Sequence, residues 1–350
     1  MLRKHSLRPA SHVFTCTDRP APPLGRNAFE ESLTAAVCAS LAGRLSHNWS
    51  VFHLAEACAG APGCAGPLQT LAMVLWADNG FAADAKVSAF FAAVEAGYQD
   101  VPYHNALHAA DVLHSLNCFL VAGNLTRFSP PERMAAMVAA CVHDLGHPGI
   151  ASSLLIAARA PLALRYNDRA VLEQYHACSA MTLLAQPEND FTSALPPSDA
   201  RLLRRLVIEL VLQTDMAVHA NFMAEMGRRV AEEPLDLTRA ADRELALELL
   251  LKCADVGSCM KSVAGAVRWG CAILTEFFNQ GELERSLGLP VSPFCSRADV
   301  RVTAMQLSFL EHVAGPLFEL LGCLAPVLAA PTADRVARTR TFFLSQEDSS

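Results

Sequence analysis

Apolar side chains in this chain recur at the three- and four-residue spacing of a helix, and this pattern constrains the fold more than any other feature. Such spacing gathers side chains on one face of a helix, which can then pack against a core. A sustained alternation of apolar and polar residues, which is typical of a half-buried strand, is not found. We therefore predict an all-α fold, a single compact multi-helix domain. The clearest apolar faces are Val87, Phe90, Phe91 and Val94; Met134, Val138, Cys141 and Val142; and Ala246, Leu249, Leu250 and Cys253.

Composition and proline content divide the chain into one long folded segment with short ends. Four prolines lie among Ser, Thr and Gly residues near the N-terminus, so residues 1–27 are predicted to be a disordered leader. The 350 residues are 52% hydrophobic, which is enough to bury a large core. We predict one catalytic domain over residues 28–345 and a disordered tail over residues 346–350.

The charge balance argues against a nucleic-acid partner. Charged residues make up 18% of the chain and the net charge is −7, so no basic stripe is present to follow a phosphate backbone. The most apolar stretch near the C-terminus, Leu320–Ala330, contains Pro326 and is shorter than the ~20 residues that a membrane span requires. We expect no nucleic-acid partner and no membrane span.

Cysteine usage and the N-terminus bear on the cellular compartment. Twelve cysteines are scattered between Cys16 and Cys323 without a Cys-x-x-Cys pair, which is typical of reduced, buried thiols in an intracellular protein. The N-terminal segment is basic, but no apolar region follows it, so a secretory signal is not predicted. A mitochondrial presequence stays open as an alternative, because Arg and Ser precede the first acid at Asp18. We predict a cytoplasmic protein.

Three short segments carry the residues of a candidate metal site. His104 and His108 are four residues apart, which places both imidazoles on one face if the segment is helical. His143 is followed directly by Asp144, and Asp255 lies in a strongly apolar segment where an unpaired carboxylate would be costly to bury. Imidazole and carboxylate ligate divalent cations. These segments predict a hydrolytic enzyme with a metal pair, with a salt bridge to an arginine as the alternative for Asp255.

The sequence ahead of the His-Asp pair has the features of a helix start. Ser129 is predicted as an N-cap, with Glu132 as the capping-box acid and proline in the first turn. The helix would continue to His143 and Asp144 and would break at Gly146. The His-Asp pair is therefore predicted at a helix end that faces a tight turn.

Six motifs, in order along the chain, resemble the catalytic domain of class I 3′,5′-cyclic nucleotide phosphodiesterases, an HD-type family of metal-dependent phosphohydrolases. The resemblance covers about residues 49–321 and implies the helical fold of that domain. The motifs are Tyr-His-Asn-x-x-His-Ala-x-Asp-Val (103–112), His-Asp-x-x-His-Pro-Gly (143–149), Tyr-Asn-Asp-x-x-Val-Leu-Glu (166–173), Thr-Asp-Met (214–216), Glu-Phe-Phe-x-Gln-Gly-x-x-Glu (276–284) and Ser-Pro-x-Cys (292–295).

The resemblance implies two metal ions with different shells. Imidazole and carboxylate suit zinc, whereas a water-rich oxygen shell suits magnesium or manganese. Asp144 is implied as the ligand that both ions share. The ligands of the tightly held ion, usually zinc, are implied to be His108, His143, Asp144 and Asp255. The residues implied to hydrogen-bond the waters of the second ion are His147, Glu173 and Thr214.

In the family that these motifs resemble, the first histidine of the first motif is the general acid. His104 is thus implied to protonate the departing O3′, a step for which an imidazole pKa of ~6.5 is suitable. The attacking group is implied to be a hydroxide bridging the two ions. The resemblance therefore implies hydrolysis of the 3′-phosphoester bond of cAMP or cGMP to the 5′-monophosphate, which ends cyclic nucleotide signalling.

The resemblance also implies a nucleotide pocket. Gln306 would hydrogen-bond the purine, because its amide offers a donor and an acceptor. The other residues implied to contact the substrate are Tyr103, Ile273, Phe309 and Ser258. Ser258 stands where the family often has an asparagine, and Tyr175 replaces the first of two consecutive histidines, leaving His176. These departures leave base preference open between cAMP and cGMP.

Two other functions remain as alternatives. Another HD-type nucleotide phosphohydrolase would use a related ligand set, but Gln306 and Phe309 argue against it. A catalytically idle cyclic-nucleotide sensor would fit the altered Gly257-Ser258-Cys259 stretch, although every proposed metal ligand is present. A homodimer is expected from the general frequency of such assemblies alone. Regulation is not predicted.

Overall fold

A computed structural model describes residues 33–46, 48–123 and 127–347, and every regular element in these ranges is helical. The predicted leader lies outside the described residues. The α-helices are α1 Ala35–Leu41, α2 Val51–Ala59, α3 Pro67–Asp78, α4 Ala85–Gly97, α5 Ala106–Ala122, α6 Pro130–Val142, α7 Ser152–Ala157, α8 Pro161–Arg165, α9 Val171–Leu184, α10 Pro197–Leu212, α11 His219–Glu232, α12 Ala240–Asp255, α13 Val263–Ser286, α14 Val302–Phe309, α15 Gly315–Leu324 and α16 Pro326–Glu347. Short 3₁₀ turns span Phe191–Ala194, Met216–Val218 and Val256–Met260, and a π-helical turn spans Leu310–Ala314.

The all-α prediction is confirmed, and the predicted apolar faces are the ones that the fold buries. Val87, Phe90, Phe91 and Val94 are all buried on α4. The faces predicted on α6 and α12 are buried in the same way, apart from the half-buried Met134. Burial of such faces is the main favourable contribution to folding, so the spacing of apolar residues was a sound guide to the core.

Helices α5, α6 and α12 form the centre of the molecule and carry the candidate metal ligands. Helix α5 packs on α3, α6 and α12, and α6 also packs on α10. Nearly every side chain of α5 from His108 onward is buried, including polar ones. A helix that is buried on all sides must be supplied with partners for its polar groups, and α5 finds several of them on the segment that follows α12.

The capping box predicted for α6 is present. The Glu132 carboxylate accepts hydrogen bonds from the Ser129 backbone N–H at 2.7 Å and from the Ser129 hydroxyl at 2.8 Å. The helix ends at Val142, so His143 is its C-cap residue. This fixed start and end place the His-Asp pair at the predicted position.

A tight turn follows α6 and needs glycine at two positions. Gly146 has φ +78° and Gly149 has φ +71°, in the left-handed region that favours glycine. A Cβ at Gly146 would also lie 2.9 Å from the Tyr175 ring, closer than real Cβ contacts. The turn therefore returns the chain toward the candidate site directly after Asp144.

The helical reading of the segment around His104 was wrong in one respect. Helix α5 begins at Ala106, and the Asn105 side chain caps it by accepting hydrogen bonds from Leu107 N at 2.9 Å and His108 N at 3.1 Å. His104 therefore lies before the helix and does not share a helical face with His108. Asparagine is among the preferred N-cap residues because its side chain satisfies free backbone N–H groups, and here that preference outweighs the i, i+4 pattern.

The last four helical elements of the described chain are α14, the π-helical turn, α15 and α16. Within the described residues, Val302–Leu324 is the one helical run long and apolar enough to cross a membrane by length and composition. A core helix can pass the same test, so this is weak support for a span, and the absence of a span stays a prediction. Helix α16 extends to Glu347, two residues past the predicted end of the domain.

Candidate metal centre and active site

The structure brings together the four residues predicted to hold the tight metal ion. His108 Nε2 lies 3.3 Å from His143 Nε2, 3.1 Å from Asp255 Oδ1 and 3.6 Å from Asp144 Oδ2. His143 Nε2 lies 3.1 Å from Asp144 Oδ2 and 3.4 Å from Asp255 Oδ1. Two imidazoles and two carboxylates from three separate segments therefore point their ligand atoms at one place.

The spacing of these four ligand atoms matches a tetrahedral ion. A zinc ion bound at about 2.0–2.1 Å separates its ligand atoms by roughly 3.3 Å. The five distances given above run from 3.1 to 3.6 Å. This cluster could hold one divalent ion, and the donor set is one that zinc favours.

Backbone contacts orient the ligands before any ion binds. His143 Nδ1 donates to the Ala140 carbonyl oxygen at 3.0 Å, which leaves Nε2 free to ligate. Asp255 is the last residue of α12, and His108 lies in the first turn of α5. Asp255 contacts the two imidazoles, so the alternative of an arginine salt bridge for this residue is not what the structure has.

Electrostatics tie the cluster together in the absence of an ion. Burial by itself lowers the pKa of His143, but the carboxylates of Asp144 and Asp255 outweigh it and raise that pKa well above its usual value. Burial opposes ionisation of Asp144, yet the charge of His143 holds the pKa of Asp144 well below its ordinary range. A cation would replace the protons on the imidazoles and neutralise the carboxylates.

A cavity of about 440 Å³ opens beside the cluster. It is lined by residues predicted to serve the ions and by residues of the turn after α6. The predicted site residues in its wall are His104, Asp144, His147, Glu173, Thr214 and Asp255. The cavity thus joins the tight-ion ligands, the residues predicted to surround the second ion, and the predicted general acid.

Glu173 is the side chain in this cavity that most needs a partner. Its Oε2 is buried and has no hydrogen-bond partner among the described residues. Burial, together with the charges of Asp215 and Asp144, raises its pKa to about 7. A water-coated cation would supply the missing hydrogen bond and favour the carboxylate, so the residues present fit a second ion.

His147 and Thr214 are oriented by backbone contacts. His147 Nδ1 accepts a hydrogen bond from Gly149 N at 3.0 Å, which places the ring proton on Nε2. Burial lowers the pKa of His147 to about 2, so the ring is neutral. The Thr214 hydroxyl donates to the Val211 carbonyl at 2.7 Å and keeps its lone pairs for a further donor. Both side chains can therefore interact with water in the cavity.

His104 is held by Glu276, the first residue of the fifth motif, for which the sequence predicted no role. His104 Nδ1 lies 2.6 Å from Glu276 Oε2, and the other carboxylate oxygen accepts hydrogen bonds from the backbone N–H groups of Tyr103 at 2.6 Å and His104 at 2.8 Å. Burial by itself lowers the pKa of His104, but Asp144 and Glu276 raise it above 6.5. Its position between the apolar residues 272–274 and 277–278 was the available sequence signal for Glu276.

His176 is a second residue whose contact with the site was not foreseen. Its Nδ1 donates to the Leu145 carbonyl at 2.8 Å, and its Nε2 lies 3.8 Å from Asp144 Oδ1. Burial lowers its pKa to about 4. His176 lies three residues after Glu173 on α9, on the same face of that helix, and this spacing could have identified it.

The residues predicted to contact the substrate are placed less closely around the site. The Tyr103 ring lies 4.5 Å from the His108 ring, and Ser258 lies beside the Tyr103 hydroxyl. The Gln306 side chain lies against α13, with its amide nitrogen 3.5 Å from the point where a Cβ on Gly270 would stand. Ile273 and Phe309 are half-buried. The five predicted substrate residues, Tyr103, Ser258, Ile273, Gln306 and Phe309, do not line the cavity beside the metal cluster.

Comparison with known proteins agrees with this geometry. The family described as 3′5′-cyclic nucleotide phosphodiesterase matches residues 103–335. The chain is 36% identical over 256 residues to a probable 3′,5′-cyclic phosphodiesterase, pde-3, of Caenorhabditis elegans, a match that covers 65% of this chain and 37% of that protein. It is 34% identical over 264 residues to isoform F of a Drosophila melanogaster 3′,5′-cyclic-AMP phosphodiesterase, covering 73% of this chain and 40% of that protein.

A human relative extends the comparison to a third animal group. The human cGMP-inhibited 3′,5′-cyclic phosphodiesterase 3A is 34% identical over 275 residues, covering 65% of this chain and 24% of that protein. The matches thus span between 24% and 40% of the length of these three relatives. The family match spans two thirds of this chain and includes all the candidate metal ligands. The chain therefore belongs to the 3′,5′-cyclic nucleotide phosphodiesterase family.

Proposed function

We propose that this chain hydrolyses the 3′-phosphoester bond of 3′,5′-cyclic nucleotides and releases the 5′-monophosphate. The observation that carries the proposal is the shared cavity, in which the four-ligand cluster lies beside a histidine held by a buried glutamate. A metal site alone would suit many hydrolases. The combination with His104 suits a reaction that needs a proton for its leaving group.

Two ions would be held by different groups. His108, His143, Asp144 and Asp255 would hold zinc, and Asp144 would share its carboxylate with a magnesium or manganese ion in the cavity. When bound, such ions supply Lewis acidity and activate water at neutral pH. The identity of each ion is part of the proposal and rests on the donor sets.

His104 would deliver the proton to O3′. Glu276 accepts the Nδ1 proton of His104 and so fixes the ring with Nε2 turned away from the glutamate. The raised pKa of His104 favours the imidazolium form, in which Nε2 also carries a proton. Glu276 itself is oriented by the backbone N–H groups of Tyr103 and His104. This arrangement supports His104 as a general acid and Glu276 as the residue that positions it.

His147 and Glu173, which line the cavity, would orient water and exclude other water orientations. His147 would donate from Nε2, because its Nδ1 is occupied by the Gly149 N–H. Glu173 would accept, since its buried Oε2 has no other partner among the described residues. A donor and an acceptor together fix the direction of a water molecule more tightly than either alone.

We further propose that cAMP and cGMP are both substrates. Within the described residues no hydrogen bond fixes the rotation of the Gln306 amide, whose neighbour Gly270 carries no side chain to restrict it. An amide that can turn presents a donor to one purine and an acceptor to the other. Phe309 would stack on the base. The predicted domain over residues 28–345 and the cytoplasmic location stay predictions.

Product analysis tests the proposed function. The purified protein is incubated with cAMP or cGMP in the presence of magnesium or manganese, with and without a chelator, and the product is identified. We expect a 5′-monophosphate from both nucleotides, with no product after chelation. A 3′-monophosphate would contradict the proposal, and the absence of product from protein whose metal content is confirmed would contradict it and favour the idle-sensor alternative.

A further inference from the structure

Lys261 is a buried cation whose three hydrogens all have acceptors on α5. Its Nζ lies 2.8 Å from Asp111 Oδ1, 2.8 Å from Ser115 Oγ and 3.2 Å from His114 Nδ1. The side chains of Lys261 and Asp111 are only 9% and 7% exposed. A lysine ammonium has three donors and no acceptor, so this arrangement satisfies it completely and fixes its direction.

The pair joins the two segments that supply two of the metal ligands. Asp111 lies three residues after His108, one turn further along α5. Lys261 lies six residues after Asp255, with the 3₁₀ turn Val256–Met260 between them. The contact between His108 and Asp255, 3.1 Å long, is therefore followed one turn later by the contact between Asp111 and Lys261.

Helix α16 holds the same turn from the opposite side. The Thr339 hydroxyl donates to the Cys259 carbonyl at 2.8 Å, and Arg335 donates to the Met260 carbonyl at 3.2 Å. Thr339 is 1% exposed and lies beyond residue 335, where the family match ends. The turn is thus fixed between α5 and α16 by buried polar contacts on both sides.

We propose that Lys261, Asp111 and Thr339 are positioning residues that hold the segment 255–261 so that Asp255 faces the two imidazoles of the metal cluster. A buried ion pair adds little stability compared with apolar side chains of similar size, but it has a defined direction. Asp111 belongs to the first of the six motifs and touches none of the proposed reacting groups. Its contact with Lys261 assigns that carboxylate a positioning role.

The proposal has a thermodynamic consequence for metal binding. When the segment is held in advance, the energy of metal binding is not used to order it. When the segment is loosened, binding of the ion must also fix Asp255, so the apparent affinity falls. At saturating metal the cluster is complete again, and turnover should return to nearly its original value. This turnover readout rests on the proposed function, whereas the affinity readout does not.

The main experiment measures zinc affinity by competition with a chelator of known strength in Lys261→Met and Asp111→Asn. We expect about 10–100-fold weaker zinc binding in both variants, a range typical for residues that orient metal ligands. Asp78→Asn is the matched control, because Asp78, whose side chain is as buried as that of Asp111, forms an ion pair with Arg44, 2.7 Å long, at the end of α3. It should lose stability while keeping its zinc affinity.

A milder pair of variants covers the case in which loss of the ion pair prevents folding. Thr339→Val removes the hydroxyl that holds the Cys259 carbonyl. Thr332→Val, on the same helix, removes an equally buried hydroxyl that donates within its own helix to Leu328 O at 2.8 Å. We expect zinc affinity to fall about 2–10-fold in Thr339→Val alone, the value of one hydrogen bond.

Two outcomes separate this inference from the proposed function. If Lys261→Met, Asp111→Asn and Thr339→Val unfold more easily but bind zinc as the unchanged protein does, the three residues only stabilise the fold and the inference is wrong. If zinc affinity falls as expected and the unchanged protein hydrolyses neither cyclic nucleotide, the inference stands and the proposed function does not.

Discussion

The two halves of the active site are held in place by different means. In the metal half, formed by His108, His143, Asp144 and Asp255, polar atoms contact one another at 3.1–3.6 Å. In the predicted base half, formed by Ile273, Gln306 and Phe309, the side chains are half-buried, with Gln306 beside Gly270 and Phe309 packed against the hydrophobic core. The two imidazoles of the metal half are buried and its two carboxylates are half-buried, whereas all three side chains of the base half are half-buried.

This difference shows which part of the site the fold must complete by itself. Buried charged groups must already be paired in the folded protein before a ligand binds, because an unpaired charge in the core is very costly. Half-exposed amide and aromatic groups remain solvated until the substrate arrives, so the fold need not fix them. Substitutions in the metal half should therefore affect all turnover, and those in the base half mainly substrate affinity.

The largest effect should come from Asp255→Asn. Removing one carboxylate leaves the cluster with less negative charge and a weaker ligand, so zinc binding and turnover with both nucleotides should be lost together. Zinc content and 5′-monophosphate release are the measurements. Asp242→Asn is the control, because Asp242 is a buried carboxylate on the same helix that pairs with Arg229 at 2.8 Å. Retained zinc in Asp255→Asn would contradict its role as a ligand.

The next effect, on turnover alone, should come from His104→Asn. Loss of a general acid lowers the rate by about 10²–10⁴-fold, while the four ligands that hold zinc are untouched. Turnover should fall and zinc content should stay the same. His53→Asn changes a solvent-exposed histidine on α2 and should alter neither. Full turnover in His104→Asn would show that another group protonates O3′.

Glu173→Gln should test whether Glu173 belongs to the metal half. We expect magnesium affinity to fall by about 10–100-fold. In the presence of chelator, the pKa of Glu173 in the folded protein is about 7, above the ordinary glutamate value of 4.5. Between pH 4.5 and pH 7 the folded protein therefore binds more protons than the unfolded chain. The stability that Glu173 contributes is present at low pH and is lost as pH rises through 7, a change of at most roughly 3 kcal/mol.

Urea unfolding at pH 5 and pH 8 in chelator measures this change. Glu173→Gln should unfold with a smaller loss of stability between the two pH values than the unchanged protein. Glu248→Gln is the matched control, because burial also raises the pKa of Glu248 to about 7. Magnesium should reverse the pH effect of Glu173 and leave that of Glu248, and equal responses to magnesium would place the second ion elsewhere.

The smallest effect should come from Gln306→Ala in the base half. One hydrogen bond to the base is worth about 1 kcal/mol, so KM should rise by about 5–10-fold for both nucleotides with kcat little changed. Ser308→Ala, two residues along the same helix and lining a different cavity, should change neither constant. A large fall in kcat in Gln306→Ala would remove the distinction between the two halves.

The sequence predicted the helices and the metal half well for one physical reason. That reason is burial: the spacing of apolar residues indicates which helix faces are buried, and the apolar surroundings of Asp255 indicate a buried carboxylate that requires a polar partner. The contact between His104 and Glu276 could not be read in this way, because 172 residues separate them and no local pattern encodes a long-range hydrogen bond. The spacing of His104 and His108 did not by itself locate the start of α5, because the Asn105 cap places that start at Ala106.

The base half was less accessible to sequence reasoning. The positions of Gln306 and Phe309 depend on the angle at which α14 approaches α13, and no hydrophobic pattern defines that angle, since no residue of α14 is fully buried. The resemblance to a family named these residues, and the structure places them near α13 but outside the cavity beside the metal cluster. Their roles therefore stay predictions.

The π-helical turn Leu310–Ala314 separates two helical segments, α14 and α15, whose different packing roles one continuous helix could not combine. Downstream of it, Leu317 and Leu321 continue a buried seam that begins at Leu310 and Ala314. Upstream, α14 packs on α16, with Gln306 beside Gly270 of α13. A π-helical turn accommodates one extra residue, and one residue corresponds to about 100° of helical rotation. A single-residue insertion or deletion here is thus a route by which the recognition surface of such a protein can be redirected while its packing surface is inherited unchanged.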